Sequence, residues 1–452
     1  MKLKILAPVV LLAMVAAGCE QTLDVKPINE FPEEEAIINE ATARAAVAGM
    51  YDALQSGSYY GGTFLHFGDL SAEDVQHTGT FTTYRLADGN FLASDNGAIE
   101  GIWDAIYRAI GRANIILARV PTVTSIDPVA RDEMLAEAYL VRGLSYHNLV
   151  KFWGDSASAG LGVPIRTAPP GNFGDAGQIT RSTTGEVYAQ IMSDLDAAEA
   201  LIGPTGPIDA IRARVMLYRE NWAGAEAQAE SVAAMGYALA SSFGDLWPPD
   251  RTDTPEDIFK LAFTAVDFNL LGFYYRAKGA AGGRREITPT NAFAKVYDTA
   301  YVFNQPATYN PTDLRGQWNI SFQGSTRYGS KYPTGIGAED LHIIRYGEVL
   351  LIQAEAEARQ NKLAEAEATL TPLRLRAGLT AAGLDTMTQA NAIATILQER
   401  RLELTFEGDR WPDLVRTGRA VTVLGIPQFQ TLYPIPLNEI DVAPGLVQNP
   451  GY

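Results

Sequence analysis

Apolar side chains recur at helical spacing along most of the chain. The pattern turns helical from Ala36 to about Leu54. Ile99, Ile102, Trp103, Ile106, Ile110 and Leu117 mark one face of a second helix, with Asp95 or Asn96 placed to cap it. Met134, Ala138, Val141, Ser145, Leu149 and Phe152 mark the next. A further helix covers Thr183 to Ile202 and is stopped by Pro204, Gly206 and Pro207. The last runs from Gln389 to about Phe406. Two stretches break the rhythm. Tyr59 to Gly97, rich in Gly, Thr and aromatics, reads as a long loop with short strands. From about Ala240 to Gly337, Gly, Pro, Thr, Asn and aromatics replace the helical period, and so long a break in a helical chain points to function. Beyond Phe406 lies an irregular tail with five prolines from Pro427 to Pro450. The expected fold is mostly α, with helix pairs as scaffold, long irregular loops and a few short strands.

Two helix–turn–helix units share one spacing. Ala213 is followed by Ala225, Ala229 and Val232, and Ala354 by Ala366, Leu370 and Leu373, at the same offsets of twelve, sixteen and nineteen. Small residues at the first two positions let antiparallel helices approach closely. The spacing is similar to tetratricopeptide units of about 34 residues.

The N-terminus has a different character. Lys2 and Lys4 precede an apolar run from Ile5 to Val15, and Ala16-Ala17-Gly18 stands directly before Cys19. This is the pattern of a secretory leader, too short to span a bilayer. Cys19 is the only cysteine and is placed for lipidation; acyl chains on it would anchor an otherwise soluble body. The organisation read from the chain is a signal peptide over 1–18, a lipidated tether over 19–35, an N-terminal region over 36–240 and a C-terminal region over 241–452.

Composition narrows the chemistry. A net charge of −17 suits a phosphate backbone poorly, which argues against nucleic acid as a partner. One cysteine excludes an internal disulfide and a multi-thiolate zinc site, and the four histidines form no HExxH pair, so no metal or cofactor is expected. Gly324 to Lys331 mimics a phosphate loop but lacks its Gly-Lys-Ser/Thr and reads as a flexible loop. Glu399, Arg400, Glu403, Glu407, Arg410 and Arg416 sit at offsets that let them satisfy one another, as ion pairs rather than catalytic carboxylates.

Particular stretches carry a resemblance. Arg345-Tyr346-Gly347-Glu348-Val349-Leu350-Leu351 with Ala354-Glu355-Ala356, and Arg374-Leu375-Arg376-Ala377-Gly378-Leu379 after it, form one set. Glu399-Arg400-Arg401-Leu402-Glu403-Leu404, Phe406-Glu407-Gly408-Asp409-Arg410-Trp411 and Asp413-Leu414 with Arg416 form another. Leu432-Tyr433-Pro434-Ile435-Pro436 and Gln448-Asn449-Pro450-Gly451-Tyr452 close the chain; Trp103, Tyr107, Ala113-Asn114, Ala138-Tyr139-Leu140-Val141-Arg142, Phe152-Trp153-Gly154 and Val163-Pro164 fit in the first half. Together they resemble the SusD/RagB family of surface lipoproteins. The departures are small: Ala16 stands where the lipidation motif has Leu, Gly143 where Ala is usual, and Ala443-Pro444 where Asn-Pro is usual.

The resemblance implies four tetratricopeptide-like helix pairs, with a ligand site in loops on the opposite side. It implies a protein on the extracellular face of the outer membrane that is not an enzyme. Such a protein captures a nutrient, most often a glycan, for a SusC-like TonB-dependent transporter. A surface glycoside hydrolase is the alternative. Sugars pack flat C–H faces on aromatic rings and need polar partners for their hydroxyls. The ligand-binding residues expected on that ground are Tyr84, Asn90, Tyr274, Tyr275, Trp318 and Asn319, from a wider set that includes Tyr59, Tyr60, Phe81, Trp247 and Tyr328. Trp103 and Trp411 are assigned to the core.

Overall fold

The computed structural model describes residues 37–170, 179–248, 250–279 and 282–452. Cys19, the leader and the tether lie outside the described residues.

Helices open the chain. α1 (Glu40–Gln55) starts at Asn39, whose side chain accepts from the Thr42 N–H while Thr42 answers back, a reciprocal cap. The segment read as a loop is partly ordered: it contains α2 (Thr63–Leu70), β1 (Val75–His77) and α3 (Thr82–Asp88). In α2 every residue from Phe64 to Leu70 is buried, so no polar face exists to reveal a period. Of the two expected caps of α4 (Gly97–Arg119), Asn96 is the one used, accepting from the Ala98 N–H at 3.0 Å. α5 (Pro128–Trp153) begins at Asp127 with proline at its first position, and α6 (Thr184–Ile202) opens on a capping box of Thr183 and Glu186.

The two alanine-spaced units are helix pairs. α7 (Gly206–Tyr218) packs on α8 (Trp222–Ala234) with Ala213, Ala225, Ala229 and Val232 fully buried. The second pair follows a stretch of short elements: β2 (Asp257–Leu261), α9 (Leu271–Tyr275), β3 (Ile287–Pro289), α10 (Asn291–Tyr297), α11 (Leu314–Asn319), β4 (Ile320–Gln323), β5 (Thr326–Gly329) and β6 (Leu341–Arg345). Then α12 (Tyr346–Arg359) packs on α13 (Leu363–Arg376), with Ala354, Ala366, Leu370 and Leu373 fully buried. α8 lies against α12, which joins the pairs into one scaffold, and α14 (Gln389–Glu403) also packs on α12.

The strands pair antiparallel, β1 with β3, β2 with β6 and β4 with β5. The last pair is a hairpin turning at Gly324 (φ +60°), so the phosphate-loop lookalike is a β-hairpin and not a flexible loop. The tail is likewise more ordered than its prolines suggest, with α15 (Arg410–Arg416), α16 (Ala420–Leu424) and α17 (Leu437–Val442). The chain is mostly α with few short strands, as expected.

The main apolar core runs from Ile37 to Leu446, with Trp103, Trp153 and Trp411 fully buried in it, and Ala354, Ala366, Leu370 and Leu373 form part of a second cluster. The end of the chain is stitched to the first half. Trp153 Nε1 donates to the Pro434 carbonyl at 2.9 Å, and Asn449 Nδ2 donates to the carbonyls of Trp153 (3.0 Å) and Tyr433 (2.7 Å). Arg181 donates to Asn449 Oδ1 at 2.8 Å.

The charges of 399–416 are ion-paired, but not mainly with one another. Glu399, Glu403 and Glu407 recur every fourth residue and form a stripe of like charge, so their cations come from elsewhere. Glu399 meets Arg315 (2.7 Å) and Arg374, Glu403 meets Arg345 (2.7 Å) and Arg376, and Glu407 meets Arg345 (2.8 Å) and Lys331 (2.7 Å). Arg400 does tie the helix to the tail, through Asp413 at 3.0 Å, while Arg410 reaches Glu73 and Arg416 reaches Glu355 (2.7 Å).

Candidate functional site

Short elements, some ahead of the first scaffold pair and some between the two pairs, bring the candidate aromatics onto two neighbouring surfaces. The first is built on α2, α3 and α9. Tyr84 and Tyr274 stack with ring centroids 5.3 Å apart and planes 11° apart, and both are largely buried. Phe81, 42% exposed, leans over both rings at 6.0 and 6.5 Å. The Arg284 guanidinium lies 5.6 Å from Phe81 and 5.6 Å from Phe273, and it is paired with Glu286. What faces outward is therefore Phe81 and Arg284, with the tyrosine stack as their base. Asn90 follows α3 in the left-handed region (φ +56°), which asparagine tolerates, and is half-buried; Phe91 beside it is 68% exposed.

The second surface is a pocket of about 320 Å³ lined by Phe243, Trp247, Arg276, Trp318, Ser330 and Lys331 among others. Trp318, 48% exposed, forms its wall and lies over Gly244, where a Cβ would overlap the indole. Trp247 is almost buried at the base, with Lys331 Nζ 4.6 Å from its ring centre. Burial drives the Lys331 ammonium down to about 8 against the pull of Glu407. Phe243 and Trp247 also cover Arg345, so these two rings separate the pocket from the buried ion pairs below. The faces they turn to those cations are the electron-rich ones.

The two surfaces share an interior. Ring contacts run from Tyr84 to His66 (5.9 Å), Tyr275 (5.4 Å), Tyr332 (6.2 Å) and Trp247 (6.1 Å). Tyr275 is fully buried and donates its hydroxyl to Asp69, whose carboxyl is pushed up to about 8 by burial despite that bond. Asn319 is also fully buried, donating to the Tyr297 hydroxyl at 2.8 Å. Both residues support the site from inside rather than face a ligand, which corrects the expectation for them. Tyr59 and Tyr60 are core residues too, each accepting from Asn148 Nδ2 (2.6 and 2.8 Å). Tyr328, on β5, is half-buried.

Arg276, Arg284, Phe273 and Gln317 escaped the sequence reading. Phe273, Arg276 and Gln317 are each adjacent to a residue that was singled out, whereas Arg284 lies nine positions beyond Tyr275. No pattern distinguishes their exposure, because α9 and α11 are only five and six residues long and Arg284 lies outside any helix or strand.

The helical scaffold thus carries aromatics on short helices beside a polar pocket. Residues 22–211 match the family described as starch-binding associating with outer membrane, and residues 272–429 match the SusD family. The chain belongs to the SusD/RagB family. It is 26% identical to SusD-like protein P38 of Formosa agariphila, over 97% of this chain and 96% of that one, and 23% identical to SusD-like protein P25 of the same species over 99% and 98%. Among solved structures, a laminarin-binding SusD-like protein superposes with a TM-score of 0.80 at 22% identity, covering 92% of this chain and all of that one. A SusD superfamily protein from Bacteroides thetaiotaomicron gives 0.77 at 22% identity, covering 91% and 100%.

Proposed function

We propose that this protein is an outer membrane lipoprotein that binds a glycan at the cell surface and delivers it to a SusC-like TonB-dependent transporter. The observation that carries the reading is the half-exposed Trp318 indole walling a pocket that also presents Gln317, Ser321 and Ser330. A sugar ring needs that combination, an apolar plate beside hydrogen-bonding side chains. The family match supports the membrane setting and a saccharide ligand. Lipid on Cys19 would hold the body at the surface, and the tether would keep it near the barrel mouth, where a modest interface suffices.

A binding role is favoured over a glycoside hydrolase. A hydrolase requires two free carboxylates flanking a cleft. The pocket lining contains none, and the conspicuous acids at 399, 403 and 407 are buried in ion pairs with arginine and lysine. The test is affinity electrophoresis in gels containing a panel of polysaccharides. Retardation of the wild type, lost in Trp318→Ala with no change of thermal midpoint, is the expected result. Equal retardation of the variant would move the site elsewhere. Release of Cys19→Ala from the membrane fraction, and recovery of a barrel with the wild type in mild detergent, test the remaining parts.

A further inference from the structure

Arg276, half-buried, lines the pocket walled by Trp318 and differs from the ion-paired arginines of the interior. Arg315, Arg345, Arg376, Arg400 and Arg416 each meet a carboxylate. Among the described residues Arg276 makes no salt bridge. Its Nη1 donates to the Tyr332 carbonyl at 2.9 Å, and its Nε is buried without a hydrogen-bond partner. Glu339, whose carboxyl burial pushes up, senses the guanidinium without coming within salt-bridge distance. A partly buried cation lacking its counter-charge is costly to keep.

The surroundings sharpen this. The protein carries a net charge of −17, yet the residues lining the Trp318 pocket include two cations, Arg276 and Lys331, and no acid. Lys331 is answered from behind by Glu407, which leaves Arg276 as the unanswered charge at the pocket. A planar guanidinium matches the paired oxygens of a carboxylate or a sulfate ester. Ser330 Oγ, which donates to the Trp318 carbonyl at 2.6 Å, keeps its lone pairs for a hydroxyl donor.

We infer that the pocket beneath Trp318 takes an acidic saccharide, with Arg276 receiving a carboxylate or sulfate oxygen pair while the indole holds the sugar ring. This rests on the glycan-binding reading above and narrows it to one chemical class.

The experiment applies the full lipidated chain, in detergent, to an array of neutral, uronate-bearing and sulfated oligosaccharides. Retention on acidic members is expected, falling about tenfold or more in Arg276→Gln, as loss of a charge-assisted pair requires. It should also weaken at about 0.5 M salt, where charges are screened within a few ångströms. Which acidic set is retained separates carboxylate from sulfate. Arg276→Lys keeps the charge and should recover part of the retention. Binding to neutral members alone overturns the acidic assignment and leaves the glycan reading standing. So does acidic binding indifferent to salt, or equal in Arg276→Gln and wild type. Retention on no member overturns both.

Discussion

Tyr84 and Tyr274 come from distant parts of the chain yet lie almost parallel, their ring centroids 5.3 Å apart. Phe81 rests on the pair and is the ring that meets solvent. The two layers should separate by mutation. Tyr274→Ala removes a buried ring and should cost about 3 kcal/mol of stability. Phe81→Ala should leave the unfolding free energy from urea titration within about 0.5 kcal/mol of wild type, as surface changes do, while weakening capture of the ligand. Equal stability losses in the two variants would contradict this layering.

Gly244 positions Trp318 by having no side chain. Gly244→Ala would push a methyl group into the indole, so the ring must leave its place over the pocket. The expected cost is about 1–3 kcal/mol, as for other overpacked sites, together with a shifted tryptophan emission maximum and reduced glycan retardation. Unchanged emission and unchanged retardation would show that the indole is not held there.

Acid should unfold the protein through its buried pairs. Burial works to raise the Glu407 carboxyl, but Arg345 and Lys331 hold it down at about 2; Arg400 and Arg416 hold Asp413 at about 2 in the same way. Unfolded carboxylates titrate near 4. The stability these two groups give is therefore complete above about pH 4 and lost as pH falls through about 2, on the order of 2–3 kcal/mol each. Asp69 acts oppositely: with its carboxyl raised to about 8, it favours the folded state increasingly as pH falls from 8 towards 4. Urea midpoints at a series of pH values check this. A midpoint flat from pH 5 to 2 would refute the assignment.

The alanines of the helix pairs, Ala213, Ala225, Ala354 and Ala366, are fully buried where two helices meet. Replacing any one by leucine should lower stability by about 1–3 kcal/mol. Thermal midpoints of the four variants measure it, and four unaltered values would mean that the helices are not in close contact.

The scaffold was readable because its helices are long and one-sided. Ile99 to Leu117 and the repeated alanine offsets each describe a stripe that another helix covers. The site was not readable to the same depth. Tyr274 and Tyr275 are neighbours, as are Trp318 and Asn319, yet one residue of each pair borders the site and the other is interior. In elements of one or two turns, exposure is decided by what packs from elsewhere in the chain. Residues 63–70 show the converse, a helix hidden from a periodicity search because nearly all of it is inside. The acids at 399, 403 and 407 announced ion pairs correctly but could not name their partners, which come from as far away as Arg315 and Lys331.

The clamp of Asn449 on Trp153 and Tyr433 sets an order of events during synthesis. A chain made from its amino end can form the α5–α6 contact early, because both helices emerge together. The carbonyl of Trp153 and its indole must wait for residues 434 and 449, almost three hundred positions later. Until then, the apolar surface around Trp103, Trp153 and Phe152 lacks the Tyr433 ring that covers it. A nascent chain would therefore expose a sticky patch for most of its elongation, and escort by a holdase until the last residues arrive would suit it.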